Sequence, residues 1–240
     1  LAQTIERARS TGEDMLRDFY NKWTSGTQSH PLDSSILEII KQSEIIDPPY
    51  TQIFKSRAYL VAWNQTEYET TRYFQDDVIL GLDPSQASGG DDMGMVFMHI
   101  KTGKVLGCVK INEDNVIMFC QWLVELFETF ANLRMIPENR STGSSIIDYL
   151  LMVLPTKGID PFKVIYNRIM SDPEEFPDKY KEASRSLKYR DEEIYVKCKK
   201  YFGFVTSSSG IFSRSELYGT VLQSAAKNVG SFVHSTELID

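Results

Sequence analysis

The sequence lacks several features that would place it in a specialised class of protein. It has only three cysteines, Cys108, Cys120 and Cys198, and their spacing fits neither a zinc motif nor an even set of disulfides. No stretch approaches the ~20 apolar residues that a membrane span needs. The first ten residues, LAQTIERARS, show neither the apolar core nor the cleavage site of a signal peptide. We therefore expect a soluble, intracellular protein in a reducing compartment, with no membrane partner.

The sequence also has fewer basic than acidic residues. The chain has 26 Lys and Arg against 33 Asp and Glu, a net charge of −7. Non-specific affinity for DNA comes mostly from Lys and Arg that neutralise phosphates, so this balance argues mildly against a protein that coats DNA. It does not exclude an enzyme that holds metal ions with carboxylates. A disordered chain is excluded, because 42% hydrophobic residues are enough for a core.

The chain is organised as an ordered series of predicted strands and helices. Residues 1–60 predict an N-terminal extension, made of a helical segment and a proline-containing linker, and residues 61–240 predict the main domain. Apolar and alternating runs predict strands at 78–82, 93–100, 105–111, 135–136, 201–205 and 232–233. Helical periodicity predicts helices at 115–133, 146–154 and 213–228. The predicted fold class is therefore α/β, with a central mixed sheet flanked by helices.

Two stretches within this order have their own character. Residues 155–200 are charged, contain three prolines and predict a helical or irregular insertion. Their basic residues between 179 and 200 alternate with acids, which favours a solvated helix face over a DNA track. The turn KTGK (101–104) lacks the spacing of a Walker phosphate loop and predicts a simple hairpin.

Two acidic residues stand at the ends of predicted strands. Asp83 ends the first strand of a three-strand meander, and Glu138 follows the fourth strand after an intervening helix. This order places two carboxylates side by side at one edge of the sheet. Mg²⁺ and Mn²⁺ prefer such oxygen ligands, and two ions ~4 Å apart can activate water and stabilise the leaving oxygen of a phosphodiester. From the residues alone, a turn aspartate and a surface glutamate remain the alternative.

The histidines do not add to this candidate site. His30, His99 and His234 show no paired spacing that would predict metal ligands, so structural or solvent-facing roles are expected for all three. The carboxylates are the stronger candidates.

Two motifs around these acids resemble the nuclease domain of the large terminase subunit of tailed bacteriophages. The family's first motif has a strand-end Asp, a glycine-containing loop and a second Asp, and it is similar to GLDPSQASGGDD (81–92). The second has a strand-end Glu, then Asn and a Ser-Thr-Gly turn into a helix, and it is similar to IPENRSTG (136–143). The resemblance covers residues 75–154 well and residues 201–240 loosely.

The resemblance implies an RNase H-like (RuvC-like) fold and a Mg²⁺- or Mn²⁺-dependent endodeoxyribonuclease with two metal ions. By position, Asp83 would bind or bridge the metals, and Glu138 would bind one of them. Asp91 would be a weaker ligand, with Asp92 as the competing assignment. The family also has a third acidic motif, which Asp240 does not fit. We therefore expect the third ligand beyond residue 240, and weak metal binding and poor cleavage by these 240 residues alone.

The implied biological role is cleavage of concatemeric double-stranded DNA during viral genome packaging, in the cytoplasm of an infected bacterial host. The implied partners are DNA, the terminase ATPase domain, the portal protein and the small terminase subunit. Two rivals remain open. One is another RNase H-like nuclease, such as a junction resolvase or a hybrid ribonuclease, although the turn NRSTG (139–143) favours the terminase. The other is a non-catalytic docking module of the packaging motor, which the incomplete carboxylate set favours.

Overall fold

The computed structural model describes residues 50–53, 60–84, 92–111 and 115–207, together with seven positions between 213 and 223. The predicted N-terminal helix, most of the linker and the strand predicted at 232–233 lie outside the described residues. So does most of the helix predicted at 213–228, although the described positions 216, 217, 219–221 and 223 are helical.

A six-stranded mixed sheet forms the centre of the described chain, and it confirms the predicted α/β class. The strands are β1 (Tyr50–Ile53), β2 (Leu60–Trp63), β3 (Val78–Asp83), β4 (Met93–His99), β5 (Val105–Ile111) and β6 (Leu133–Pro137). Their order across the sheet is β1-β2-β5-β4-β3-β6. All neighbouring pairs are antiparallel except β3 and β6, which run parallel. The meander β3-β4-β5 and the later strand β6 were predicted.

Helices connect and cover these strands. They are α1 (Glu67–Tyr73), α2 (Val116–Thr129), α3 (Thr142–Val153), α4 (Pro161–Val164), α5 (Arg168–Ser171), α6 (Pro177–Ala183) and α7 (Glu193–Cys198). Short 3₁₀ turns follow at Leu154–Lys157, Leu187–Tyr189 and Lys199–Tyr201. Within the described ranges, no helix combines the length and the apolar character needed to cross a bilayer.

The two faces of the sheet differ in exposure, and the side chains of each strand point alternately to one face and the other. In β3, Val78, Leu80 and Leu82 are buried, whereas Ile79 and Gly81 are half-buried and Asp83 is exposed. Residues directly opposite each other on paired strands share a face, so the register extends this pattern across the sheet. The buried face forms one core with the apolar residues of α2 and α3. The other face is the one that carries Asp83.

The hairpin β1-β2 extends the sheet beyond the predicted domain boundary at residue 61. Tyr50–Ile53 pairs with Leu60–Trp63, and β2 in turn pairs with β5. Gly107 on β5 makes this possible, because a Cβ there would lie 2.6 Å from Cε3 of the buried Trp63. The large indole therefore packs over a position that carries no side chain.

Helix α1 is a second feature absent from the prediction, although the sequence carries its signal. Thr66 accepts a hydrogen bond from the Glu69 backbone, and the Glu69 carboxylate accepts one from the Thr66 backbone. This reciprocal pair is the capping box that the pattern Thr-X-X-Glu encodes at a helix start.

Helix α2 carries the chain from β5 across the sheet to β6. Asn115 caps its start by accepting a hydrogen bond from the Met118 backbone at 3.2 Å. The helix is buried along one side, at Phe119, Cys120, Trp122, Leu123, Val124, Leu126 and Phe127. This crossover allows β6 to pair with β3 in the parallel sense.

Residues 155–200 contribute to the same core and do not form a separate excursion. Ile165 pairs with Met135 at the outer edge of β6, and the core includes Phe162, Ile169, Ala183, Ile194 and Cys198. The strand predicted at 201–205 is reduced to single pairings, of Phe202 with Asn167 and of Phe204 with Glu138. Gly203, between them, has a φ of 71°, which interrupts a regular strand.

A buried ion pair organises this segment. Arg190 and Asp160 have side chains that are 1% and 11% exposed, and they form paired hydrogen bonds. Arg190 also donates to the carbonyls of Ala183 and Arg185. Burial alone would lower the pKa of Arg190, but its hydrogen bonds to Asp160 and Tyr195 raise the pKa overall. The guanidinium therefore stays charged and ties three parts of the segment together.

Replacing Arg190 by Met should destabilise the fold strongly, because Asp160 would remain buried without its partner. The expected loss is about 3–5 kcal/mol of the free energy of unfolding. Glu193→Gln is the matched control. It removes the exposed ion pair between Glu193 and Lys197 within α7 and should change the free energy of unfolding little. Urea denaturation followed by tryptophan fluorescence measures both variants. Equal transition midpoints for the two variants would contradict this role of Arg190.

Candidate active site

The two predicted acids lie next to each other at one end of the sheet. Asp83 is the last residue of β3, and Glu138 directly follows β6. The parallel register pairs Leu82 with Pro137, and the Glu138 N–H donates to the Leu82 carbonyl at 3.2 Å. Neighbouring strands are ~4.8 Å apart, so the backbones of Asp83 and Glu138 are separated by about one strand spacing. The structure therefore brings these two residues together on adjacent strands.

An open cleft lies beside Asp83 on the exposed face of the sheet. The cleft has a volume of about 420 Å³, and its lining includes Asp83, Asp92, Gly81, Gly94 and Lys110. Its middle is kept open because Gly94 carries no side chain, and a Cβ there would meet nothing within 4 Å. Glu138 is one strand further across the sheet and does not line the cleft.

Glu138 is held by residues far away in the sequence. Thr206 donates a short hydrogen bond from its hydroxyl to Oε1 of Glu138. The Arg140 guanidinium donates to the Thr206 carbonyl, and its Nε lies 4.0 Å from the same Glu138 oxygen. The Glu138 side chain is 21% exposed. One carboxylate oxygen is thus engaged by the protein, which leaves Oε2 for another ligand.

The backbone around Glu138 is fixed by the same C-terminal segment. The Asn139 N–H donates to the Phe204 carbonyl at 2.6 Å, and the Asn139 side chain donates to the Phe202 carbonyl at 2.8 Å. Phe204 in turn donates its N–H to the Pro137 carbonyl at 3.0 Å. These bonds explain why an asparagine follows the glutamate in the motif.

The small residues of the turn after Glu138 are required by close packing. A Cβ on Gly143 would lie 1.9 Å from the Glu138 carbonyl oxygen and 2.9 Å from Cγ of Pro84. Helix α3 therefore starts directly against the backbone of Glu138 and the side chain of Pro84. Ser141, at its N-cap, has a φ of 44° and makes no side-chain capping bond. A non-glycine residue in this region of φ stores strain, so the turn is held in place by its surroundings.

The other acids of the first motif are less clearly part of the site. Asp91 lies outside the described residues. Asp92 lines the cleft, but its carboxylate forms an ion pair with Lys110 at 3.3 Å. Among the residues that the structure describes, no three His, Cys, Asp or Glu side chains are grouped as a metal site. Asp83 and Glu138 are therefore the acidic pair that the fold aligns.

The remaining candidate groups have structural surroundings. His99 is buried in the β4–β5 turn, where Nδ1 lies 2.9 Å from the Thr102 hydroxyl, and His30 and His234 lie outside the described residues. All three cysteines are buried. Burial raises the pKa of Cys120 to about 12 and also raises the pKa of Cys198. Neither thiol is a reactive nucleophile at neutral pH.

Sequence analysis missed Thr206 and Lys110. Thr206 is 68 residues from the acid that it contacts, and no local spacing connects the two. Lys110 had a usable signal, because it is the polar residue in an otherwise apolar strand and therefore marks the exposed face. Arg140 was noted only as part of the turn after Glu138.

No protein-family model and no characterised sequence matches this chain. Its function is therefore inferred from its residues and their geometry.

Replacing Gly143 by Ala should displace Glu138, because the new methyl group cannot occupy the space that the Glu138 carbonyl fills. We expect a loss of about 1–3 kcal/mol in the free energy of unfolding, as in overpacked cores. Gly219→Ala is the matched control, since that helical position has nothing within 4 Å of a new Cβ. Chemical denaturation of both variants measures the difference. A Gly143 variant as stable as the wild type would show that the turn adjusts without cost.

Proposed function

We propose that the chain is an RNase H-like, metal-dependent endonuclease domain that hydrolyses double-stranded DNA, as in the large terminase of a viral packaging motor. The observation that carries this proposal is the alignment of Asp83 and Glu138 at the ends of two adjacent parallel strands. The meander β3-β4-β5 and the crossover helix α2 support the RNase H-like reading, because they are the order of elements that the motifs imply.

The donor set fits a hard divalent ion. Among the residues that the structure describes, none is bonded to either carboxylate oxygen of the exposed Asp83 or to Oε2 of Glu138, while Thr206 holds Oε1. Carboxylate oxygens are the ligands that Mg²⁺ and Mn²⁺ prefer. Asp83 and Glu138 would hold the ion, with Asp91 as a further ligand by its place in the motif. Such an ion would lower the pKa of water and offset negative charge on the phosphate.

The residues of the chain itself supply binding and orientation. Thr206 and Arg140 fix the rotamer of Glu138, so the carboxylate does not need to be ordered when substrate arrives. The glycines of the cleft leave space for a phosphodiester beside Asp83. Arg140, 50% exposed, adds positive charge at the same end of the sheet. Groups that are already oriented before the substrate binds can stabilise the transition state of hydrolysis, beyond binding the substrate.

The packaging context of the proposal comes from the motifs. DNA, an ATPase domain, a portal protein and a small terminase subunit would be the partners, and the cytoplasm of an infected bacterium would be the location. Comparing cleavage of duplex, junction and RNA–DNA hybrid substrates separates this proposal from the junction resolvase and the hybrid ribonuclease. Preference for the duplex supports the terminase.

A second candidate is a non-catalytic docking module. It is favoured by the carboxylate set, since the described residues align only Asp83 and Glu138. Calorimetric titration with Mn²⁺ and a plasmid-nicking assay distinguish the two candidates. A domain extended beyond residue 240 that neither binds Mn²⁺ nor nicks plasmid would support the docking module.

In a full-length nuclease domain, Asp83→Asn should reduce Mn²⁺-dependent nicking by orders of magnitude while the fold survives, because the amide keeps the shape but loses the charge that holds the ion. Asp77→Asn is the matched control, since Asp77 is an exposed aspartate just before the other end of the same strand, where it pairs with Arg134. Plasmid nicking and circular dichroism measure both variants. Unchanged nicking in the Asp83 variant would contradict the nuclease proposal.

Thr206→Val should lower kcat or the Mn²⁺ affinity by about tenfold, because Glu138 would lose the hydroxyl that orients it. Thr206→Ser keeps that hydroxyl and should restore most of the activity. Steady-state nicking and Mn²⁺ titration measure both variants, with KM for DNA expected to stay near the wild-type value. Wild-type activity in the Val variant, which keeps the methyl group but lacks the hydroxyl, would contradict the orienting role of Thr206.

A further inference from the structure

One basic residue in the cleft has no part in the proposed chemistry. Lys110 is on β5, directly opposite Gly94 on β4, which is directly opposite Asp83 on β3. Opposed residues share a face of the sheet, so Lys110 and Asp83 lie on the same side with only a glycine between them. Two strand spacings of ~4.8 Å put their backbones about 10 Å apart.

The cleft has charges of opposite sign at its two ends. Asp83 is at one end, and Lys110, the cationic side chain of the lining, is at the other. A DNA strand that approaches the carboxylate of Asp83 is repelled by it unless positive charge lies nearby. Because Gly94 lies between Asp83 and Lys110, no side chain separates these two residues along this row of the sheet.

The Lys110 ammonium group is paired but accessible. Its side chain is 56% exposed, and its partner Asp92 is 33% exposed, with Nζ and Oδ2 3.3 Å apart. Exposed ion pairs of this type are weak, so a phosphate can replace the carboxylate at small cost. The Lys110 ammonium group is therefore engaged by an anion that a phosphate can displace.

We propose that Lys110 forms a phosphate subsite for the DNA strand in the cleft, and that Asp92 occupies this subsite in the absence of DNA. The inference rests on the proposed function for its ligand. One strand of duplex DNA rises ~3.4 Å per nucleotide along the helix axis, but adjacent phosphates lie about twice as far apart because the strand winds round that axis, so about 10 Å spans one to two phosphates. With the scissile phosphate beside Asp83, Lys110 contacts a phosphate one or two nucleotides away on the same strand.

Substitutions of Lys110 and of Asp92 should change the affinity for DNA in opposite directions. Binding of the 240-residue chain to a fluorescent 20-base-pair duplex is measured by anisotropy in EDTA, over a series of salt concentrations. Lys110→Met should weaken binding several-fold and reduce the slope of log Kd against log salt by about 0.9, the value for one lost phosphate contact. Asp92→Asn should tighten binding, because the competing anion is gone. Lys110→Arg keeps the charge and should retain binding.

Controls come from a second exposed ion pair away from the cleft. Lys157 and Glu128 are 3.0 Å apart and about half exposed. Lys157→Met and Glu128→Gln change the net charge by the same amounts as the two cleft variants. They should shift affinity far less, since neither residue lines the cleft. Circular dichroism checks that each variant is folded.

Three results would overturn the subsite. Lys110→Met could behave like Lys157→Met, or the wild-type chain could show no binding to the duplex. Alternatively, Asp92→Asn could abolish Mn²⁺ binding and leave DNA affinity unchanged, which would make Asp92 a metal ligand. Failure of the proposed function is separate, because it appears as nicking that survives Asp83→Asn. Binding in EDTA does not depend on that result.

Discussion

The parallel pairing of β3 with β6 is the contact on which the candidate site depends. In an antiparallel pair, the carboxyl ends of two neighbouring strands lie at opposite edges of the sheet, whereas in a parallel pair they meet at one edge. The helix α2 makes this pairing possible by crossing the buried face between β5 and β6. The register of the β3–β6 pair is equally important, since a slip of one residue would direct Glu138 to the other face of the sheet.

A second constraint is the closeness of backbones around Glu138. Gly143 lets helix α3 begin against the Glu138 carbonyl, and Gly203 lets the segment before Thr206 approach Pro137, whose carbonyl oxygen would lie 2.7 Å from a new Cβ. The strand end, the start of a helix and a later segment therefore converge on a single acidic side chain. Larger residues at either glycine would separate these parts and leave Glu138 without its hydrogen-bond donor.

Much of this arrangement was predictable from local sequence. The alternating apolar residues of β3, β4 and β5 identified the meander, and the apolar period of α2 identified the crossover, so the positions of Asp83 and Glu138 followed from the order of elements. The hairpin β1-β2 was missed because its strands are only four residues long, which gives the alternation little room to appear. Arg190 was counted among solvated charges, since only tertiary packing reveals that Asp160 lies beside it. The contact of Thr206 with Glu138 was beyond prediction for a similar reason.

The separation between Glu138 and Thr206 has a consequence for how the protein is made. Chains emerge from the ribosome at about 5–20 residues per second, so the 68 residues between the two partners take roughly 3–14 s to appear. During that interval the strands β3 and β6 are available for pairing, but the glutamate has no hydroxyl to hold it. The nascent chain therefore carries its acidic pair in an unfinished form until Thr206 has been synthesised. The topology alone therefore delays the orientation of Glu138 relative to the pairing of its strand.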